Sequence, residues 1–557
     1  MAHSIDARTN VASPQSGVSS PIARFLLPSF SDLLFIAVLI WLFAAGSAGW
    51  LALLADGDTG WHIRTGEWVL QHGAVPRTDI FSFSRAGDPW FAWEWLADVA
   101  FALLHQLAGL KALVLVTGII LTAAGTLLFR HMMWRGATPF AALVLALLAF
   151  GASTVHHLAR PHMFTLFGMT ASLWLIDADR RRHTPYVWAL VPATAVWTNL
   201  HGGFLGLVAC LGLLVVGEAI EAAWRVWQDG TDWELSRLKR YTLLAALCAA
   251  ASLANPYGWN LHFHVFDYMR SDFIKDSVQE FQSPSFRTES MMQFEIVLLA
   301  ALISVGWLLR QRQVTAVLWI LFWAHNSLTS VRHVPIFMIV ASPWVAISLT
   351  ELWNRYLGTA PRASIRGIFA SLAHDMRPGC VRSSAWIGVV LLAFLILPEK
   401  TMHWPADFPD VKFPAKMAAK YPQKFLEGRV LTMDQWADYL IYRNYPKQRV
   451  FIDGRSDFYG KQLGGDYMKL MQGHSEWAKL LEKYGFDVVL SPNGWSLASL
   501  LKQSPEWRLV EDDGLALLFE RKQKSGTYAP VPSAYSEPSS QKKALTISNE
   551  NPRPGRT

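Results

Sequence analysis

The sequence predicts a polytopic α-helical membrane protein of about 11 transmembrane helices with a soluble α/β domain at its C-terminal end. Three observations predict it. Charged residues make up 17% of the 557, against roughly 25% in soluble domains, and the mean hydropathy is +0.21. Apolar runs approaching the roughly 20 residues that a bilayer crossing takes recur from Leu33 to Leu397. From Pro405 to Arg521 the pattern changes to short β-type runs alternating with helix-type ones, which favours a small sheet covered by helices.

Residues 1–30 are rich in Ser, Ala and Pro and read as a disordered cytoplasmic N-terminus. Ser31 or Asp32 is placed to cap the first helix. The first apolar run, Leu33–Leu54, begins too late and runs too long for a cleavable signal, so it reads as a span. Further spans are expected at Leu107–Phe129, Phe140–Val155, Phe164–Ile176, Tyr186–Trp197 and Phe204–Ala223. Tyr241–Leu253, Phe294–Leu309, Val314–Leu328, Val334–Leu352 and Trp386–Leu397 complete a transmembrane domain over 31–398. Within it, 55–106 is a long outer loop. Its stretches Trp61–Gln71 and Phe91–Leu104 have the spacing of Trp-bearing amphipathic helices lying in the membrane interface.

Residues 405–521 read as a periplasmic α/β domain, with strands at Arg429–Leu431, Arg449–Ile452, Asp487–Leu490 and Leu515–Phe519. Thr432 followed by Gln435 is a capping-box pattern for a helix to Tyr442. Tyr467–Tyr484, ending at Gly485, and Ser496–Leu501 are further expected helices. The tail, 522–557, is rich in Ser, Pro and Lys and reads as disordered.

Lys and Arg in the short loops set the orientation, because positive residues stay cytoplasmic. With the N-terminus inside, the inner loops hold Arg180–Arg182, Arg237–Arg240 and Arg310–Arg312, and the outer loops are poorer in them. The net charge of +7 thus follows topology and does not suggest nucleic acid. Cys210, Cys248 and Cys380 offer neither a disulfide framework nor metal-ligand spacing.

That topology places the unusual polar segments on one side. Asp56-Gly57-Asp58 and His62 follow the first span. His156-His157-Leu158-Ala159-Arg160-Pro161-His162, Asn199-Leu200-His201-Gly202-Gly203, Asn255-Pro256, Glu280 and Arg332-His333 all fall in later outer loops. Each has a plain alternative: Asp-Gly-Asp, Asn-Pro and Gly-Gly are turn signals, and Pro after Arg160 suits a helix start. Glu94, between Trp93 and Trp95, points either into a cavity under the loop or into solvent. Ionisable residues gathered where the chain leaves the hydrocarbon are a functional-site hypothesis. Independent turns would not need such segregation.

A first span, an acidic motif right after it, a long outer loop with two interfacial helices and a many-span bundle together resemble the GT-C superfamily of membrane glycosyltransferases. The likeness is to the bacterial branch related to dolichyl-phosphate-mannose and aminoarabinose transferases. The string Gly57-Asp58-Thr59-Gly60-Trp61-His62-Ile63-Arg64-Thr65-Gly66-Glu67, with Pro76-Arg77-Thr78-Asp79, is also similar to a group of bacterial polytopic membrane proteins with a C-terminal periplasmic α/β domain. That second likeness runs from about residue 30 to 520 and takes in Val450-Phe451-Ile452-Asp453-Gly454-Arg455-Ser456-Asp457.

The resemblance implies a sugar on a polyprenyl phosphate as donor, its tail in the bilayer, and Asp58 as general base, with Asp56 and His62 beside it. Attack from the face opposite the leaving phosphate needs one base and no second carboxylate nucleophile. Arg160 and Arg332 would hold the phosphate, with His157, His162 and His333 as supplementary donors. Asn199 and His201 would hold sugar hydroxyls, and Glu94 and Glu280 would line the site. A divalent cation between Asp56 and Asp58 is compatible with this chemistry but not required, and ligand spacing does not support tight binding. The donor sugar and the acceptor are not named by the resemblance.

Two readings from other classes compete. A transporter would place ionisable residues near the midplane on broken, repeated helices; the spans here are nearly free of charge. A cell-envelope assembly or export factor would use Asp453-Gly454-Arg455-Ser456-Asp457 as its binding site; the plain alternative is a turn with internal ion pairs. A polymerase or ligase of lipid-linked glycans is nearer to the main reading.

Overall fold

The computed structural model describes residues 25–522, apart from 45–48, 231–234, 358–359, 362, 383 and 397–403. The expectations of disorder for 1–24 and 523–557 and the end of the last expected span lie outside the described residues.

The first helix, α1 (Phe30–Ala44), is closed at its start by a reciprocal cap: Ser29 N–H donates to Asp32 Oδ2 (2.9 Å) and Asp32 N–H donates to Ser29 Oγ (3.1 Å). It is shorter than the expected Leu33–Leu54 span; Gly49–Ala52 is a separate 3-10 turn. After α2 (Asp58–His72) comes α3 (Trp95–Arg135), whose helical geometry breaks at Ala108 and Gly109 (φ 63°). A left-handed position suits glycine. The break separates the expected interfacial helix from the expected span, which follow one another directly across this kink.

The bundle continues through α4 (Pro139–Ala152), α5 (His162–Arg182), α6 (Leu190–Trp197), α7 (Phe204–Asp229) and α8 (Leu235–Ala251). Next come α9 (Trp259–Arg270) and α10 (Asp272–Ser277), helices in a stretch whose sequence pattern reads as loop, then α11 (Glu289–Arg310), α12 (Val314–Thr329) and α13 (Val334–Leu357). The last two are α14 (Ile365–Met376) and α15 (Trp386–Ile396). Among the described residues, Trp95–Arg135, Phe204–Gln228, Glu289–Arg310 and Val331–Leu357 are long and apolar enough to cross a bilayer, and Phe30–Phe43, Pro139–Ala152 and Val314–Thr329 are shorter apolar helices. The other expected spans form shorter or more polar helices. Tyr186–Trp197, for instance, is a 3-10 turn followed by the eight residues of α6.

Helix α13 is the hub. It packs against α3, α4, α5, α11 and α12, and its run Val334–Ala346 is buried throughout, as a helix apolar all round requires. At one end of the bundle, arginines are held by buried acids: Arg135 by Asp177 (2.6 Å), Arg180 by Glu218 (2.9 Å) and Glu221 (3.0 Å), and Arg240 by Asp179 (2.8 Å). These pairs tie α3, α5, α7 and α8 together.

At the other end sits the sheet. Its helices are α16 (Ala415–Lys420), α17 (Pro422–Glu427), α18 (Asp434–Asn444), α19 (Ser456–Met471), α20 (Trp477–Tyr484) and α21 (Ser496–Gln503). Strands β1 (Val430–Thr432), β2 (Val488–Pro492), β3 (Trp507–Asp512) and β4 (Ala516–Arg521) run in the order β1-β2-β4-β3. β1 and β2 are parallel, with Leu431 opposite Val489, and their crossover carries α18 to α20; the remaining pairs are antiparallel.

Three expectations for this region change. Arg449–Ile452 does not join the sheet: Val450 N–H donates to Phe81 O (3.0 Å) and Phe83 N–H to Val450 O (2.9 Å), pairing it with the first loop. The Thr432–Gln435 pattern is not a capping box, because Thr432 Oγ1 donates to Leu490 O (2.8 Å) and Gln435 reaches the first loop. Tyr467–Tyr484 is two helices, parted at Gly473 (φ 64°).

Candidate active site

The loop after α1 brings the acids to the junction of bundle and sheet. Asp56 Oδ1 accepts from Asp58 N–H (2.9 Å), which starts α2, and Thr59 Oγ1 donates to Ala159 O (2.8 Å). Helix α2 then runs against α18 at a distance that only glycine allows. A Cβ at Gly57 would overlap Gln435 O, and one at Gly60 would overlap Asp438 O. Gln435 Oε1 accepts from Gly57 N–H (2.6 Å), and Arg64 donates to Tyr442 O. The glycines that read from sequence as turn formers are therefore contact glycines, with Gly57 at the start of α2 and Gly60 within it.

Arg160, at the loop before α5, collects three acids from two segments: Asp58 Oδ2 at 2.7 Å, Asp56 Oδ2 at 3.0 Å and Glu280 Oε1 at 2.8 Å. Burial pushes the Asp58 carboxyl up, against the pull of Arg160, to about 7. Glu280 is also buried, but Arg160 and Arg332 outweigh that and hold it down at about 2. Paired with three carboxylates, the Arg160 guanidinium is the counter-charge of Asp56 and Asp58. The space a cation would need between these two carboxylates is filled by that guanidinium, so the pair as it stands does not fit a metal. Among the described residues no other His, Cys, Asp or Glu group converges as metal ligands would.

These residues face a cavity of about 320 Å³. Asp58, Glu94, His156, Arg160, His162, His201, Glu280, Arg332 and His333 line it, and Gly454 to Asp457 close it from the sheet side. Arg332 lies over the Phe281 ring (4.4 Å), and its Nη1 is buried without a hydrogen-bond partner. An unpaired buried guanidinium N–H is costly, which gives Arg332 capacity for an anion; Arg455, also in the lining, has a buried Nη1 without a partner too but is already ion-paired.

Glu94 resolves toward the cavity, and burial pushes it up to about 8. His201 Nδ1 accepts from Gly203 N–H (3.0 Å) and from Thr165 Oγ1 (2.8 Å), the latter itself accepting from Trp197 Nε1 (3.0 Å). The His201 proton is thereby on Nε2, 3.7 Å from Glu94 Oε1. His62 Nδ1 meets Asp98 Oδ1 at 2.5 Å, and its Nε2 is 3.8 Å from Glu94. Burial holds His62 and His201 well below the ordinary histidine range, and His156 at about 4.

Two expected site residues stand elsewhere. Asn199 is a structural clasp: Oδ1 accepts from Trp95 Nε1 (2.8 Å) and Nδ2 donates to Ala195 O and Ala254 O (both 2.8 Å). His157 packs on Phe150 (4.3 Å) and lines a separate, mostly apolar cavity of about 510 Å³ with Trp41, Leu42, Leu53 and Lys412. His62 is one layer behind the cavity, reaching it through Glu94. Sequence reasoning misses Asp438, Asp79 and Arg455 as neighbours of the site. Arg455 pairs with Asp453 (2.6 Å) and Asp79 (2.7 Å) and lies over Trp90 (4.5 Å). The Asp-Gly-Arg-Ser-Asp turn does hold an internal ion pair, and it also docks on the first loop; only the charge of Asp79 in that loop hints at the partner.

No protein-family model and no curated protein matches the sequence. Solved structures do. The archaeal oligosaccharyltransferase AglB from Archaeoglobus fulgidus, in complex with an inhibitory peptide and a dolichol-phosphate, matches with a TM-score of 0.55 over 83% of this chain and 68% of that one, at 10% identity. The fold is GT-C. The apo form of the Archaeoglobus fulgidus oligosaccharyltransferase repeats the match to this GT-C fold at 0.50, over 83% and 69%, with 11% identity. ArnT from Cupriavidus metallidurans bound to undecaprenyl phosphate, also GT-C, gives a looser likeness of 0.45 over 87% and 97%, at 14% identity. At such identities the GT-C likeness is one of fold. The chain is a membrane protein.

Proposed function

We propose that this protein is a glycosyltransferase that moves a sugar from a polyprenyl-phosphate-linked donor to a lipid, glycan or protein acceptor at the outer face of a bacterial inner membrane. One observation carries the reading: a buried carboxylate, Asp58, held by Arg160 in a cavity of about 320 Å³ that also presents an unpaired cation, Arg332. A sugar phosphate fits a space of that size.

In this reaction the acceptor oxygen or nitrogen attacks the anomeric carbon as the bond from that carbon to the phosphate oxygen breaks. Asp58 takes the acceptor proton. A base near 7 is matched to neutral conditions, since both its protonation states are then accessible. The leaving polyprenyl phosphate carries the developing charge to Arg332. Glu94 is protonated at neutral pH and offers the ligand an O–H, oriented by His201 and His62. Asp56 and Glu280 hold Arg160 and leave one face of Asp58 toward the cavity.

The test is transfer from radiolabelled polyprenyl-phosphate sugars by purified protein, with Asp58→Asn as the variant. Loss of about 10²-fold or more in kcat is expected, the range that a positioned base supplies. Undiminished transfer by Asp58→Asn overturns the base. No transfer by wild type across a donor panel moves the protein to the binding-factor reading.

A further inference from the structure

Asp58 has a neighbour that the mechanism above leaves unused. Asp438 stands on α18, fully buried, and its carboxyl faces that of Asp58. A Cβ on Gly454 would strike Asp58 Oδ1 and Asp438 Oδ2 together, so both oxygens converge on the point which that glycine leaves open. Asp438 Oδ1 accepts from Gly454 N–H (3.0 Å), while its Oδ2 is buried with no ordinary donor in reach.

Two buried carboxyls whose oxygens converge in this way do not both ionise, so one of them keeps a proton. The surroundings decide which one carries it. Asp58 has Arg160 at 2.7 Å, Gln435 Nε2 at 3.5 Å, and Asp56 and Glu280 behind the arginine. The charged groups facing Asp438 are Asp58 on α2, Asp453 ahead of α19 and Asp434 on its own helix, all carboxyls. The nearby cations are engaged: Arg160 with its three acids, Arg455 with Asp453 and Asp79.

We propose that Asp438 is a positioning residue that keeps one proton and donates it as a hydrogen bond to the Asp58 carboxylate, so that the base is completed across the junction between bundle and sheet domain. Asp438–OH aligns Asp58 from one side as Arg160 does from the other. In the transfer step Asp58 gains the acceptor proton and Asp438 keeps its own. A chain whose sheet domain is undocked would then lack a tuned base. The role of the pair in transfer rests on Asp58 being the base; the location of the proton does not.

The two are read separately on the full-length protein. Infrared spectra at pH 8.5, where Asp58 is mostly ionised, report the carbonyl stretch of a protonated carboxyl. The wild-type minus Asp438→Asn difference is expected to show one such band, and Asp58→Asn to shift that band without removing it. Absence of the band from the difference, or its loss in Asp58→Asn instead, overturns the proposal whether or not any donor is turned over. In transfer, Asp438→Ala is expected to lower kcat about tenfold to a hundredfold, the worth of one hydrogen bond to a charged group. Asp438→Asn donates in the same direction and is expected to restore most of that rate. An Asp438→Asn protein that is monodisperse yet as slow as Asp438→Ala also overturns it.

Discussion

Arg160 and Arg332 look alike in the sequence, each beside a histidine or proline in an outer loop. Their surroundings separate them: one guanidinium is ion-paired with three carboxylates, the other has a buried N–H without a partner. Arg332→Gln is therefore expected to raise KM for the lipid-phosphate donor, whereas Arg160→Gln moves the pH profile by freeing Asp58 from its counter-charge. Because the base acts ionised and sits near 7, kcat/KM is expected to rise with pH through 7 and to fall on its acid side. A profile flat from pH 5 to 9 would falsify the assignment. Glu94 gives a stability prediction with the opposite sense. Its native carboxyl ionises at about 8, far above its ordinary value near 4.5, because it is buried. The native state therefore holds a proton that the unfolded state has released between these limits. That stabilisation is full below 4.5 and is lost as pH rises through 8. Glu94→Gln should flatten this decline, which amounts to a few kcal/mol, at about 1.4 kcal/mol for each tenfold change in proton affinity. Melting temperatures of the two proteins at pH 5 and pH 9 measure it.

At the scale of elements, the close packing of α2 on α18 is what carries Asp58 to Asp438. Gly60→Ala must push the Asp438 backbone away, and such overpacking costs about 1–3 kcal/mol. A lowered melting temperature is expected, together with faster proteolysis between bundle and sheet domain. Gly306→Ala, in α11 where nothing stands within 4 Å, is the control and should be neutral or slightly stabilising. These elements are legible to different degrees. Long apolar helices such as α3, α7, α11 and α13 declare themselves by composition. The helix of α2 shows in its Trp and Ile spacing, but its glycines read as bends, since a glycine needed for close approach looks the same in one dimension as a glycine needed for a turn. The run Arg449–Ile452 is β-type by composition, and that much is readable. Its partner is not, because Arg449 reaches Ser82 in the first loop, 367 residues away in the chain, where no local rule can find it.

For the whole molecule, the sidedness of the proposal is open to direct measurement. All three cysteines are buried, so background labelling is low. In intact cells, a membrane-impermeant maleimide is expected to label Lys479→Cys on the sheet domain and to spare Gln311→Cys between α11 and α12, both exposed positions. The reverse pattern sinks the orientation. The inner-loop arginines that suggest it do more than mark a side, since Arg180 and Arg240 are held by acids at the bundle end.

The membrane class, the sheet-bearing C-terminal region and the gathering of acids, histidines and arginines in one set of loops follow from the amino-acid order alone. Hydropathy and loop charge are local sums, readable without neighbours. Packing in three dimensions was needed to show that Asn199 and His157 leave the cavity, that Arg160 pairs with three acids, and that Asp438 faces Asp58. Those outcomes depend on which buried polar atoms find partners. Where the partners stand 378 residues apart, as Gly57 and Gln435 do, the choice is made by the folded chain and by nothing in either segment.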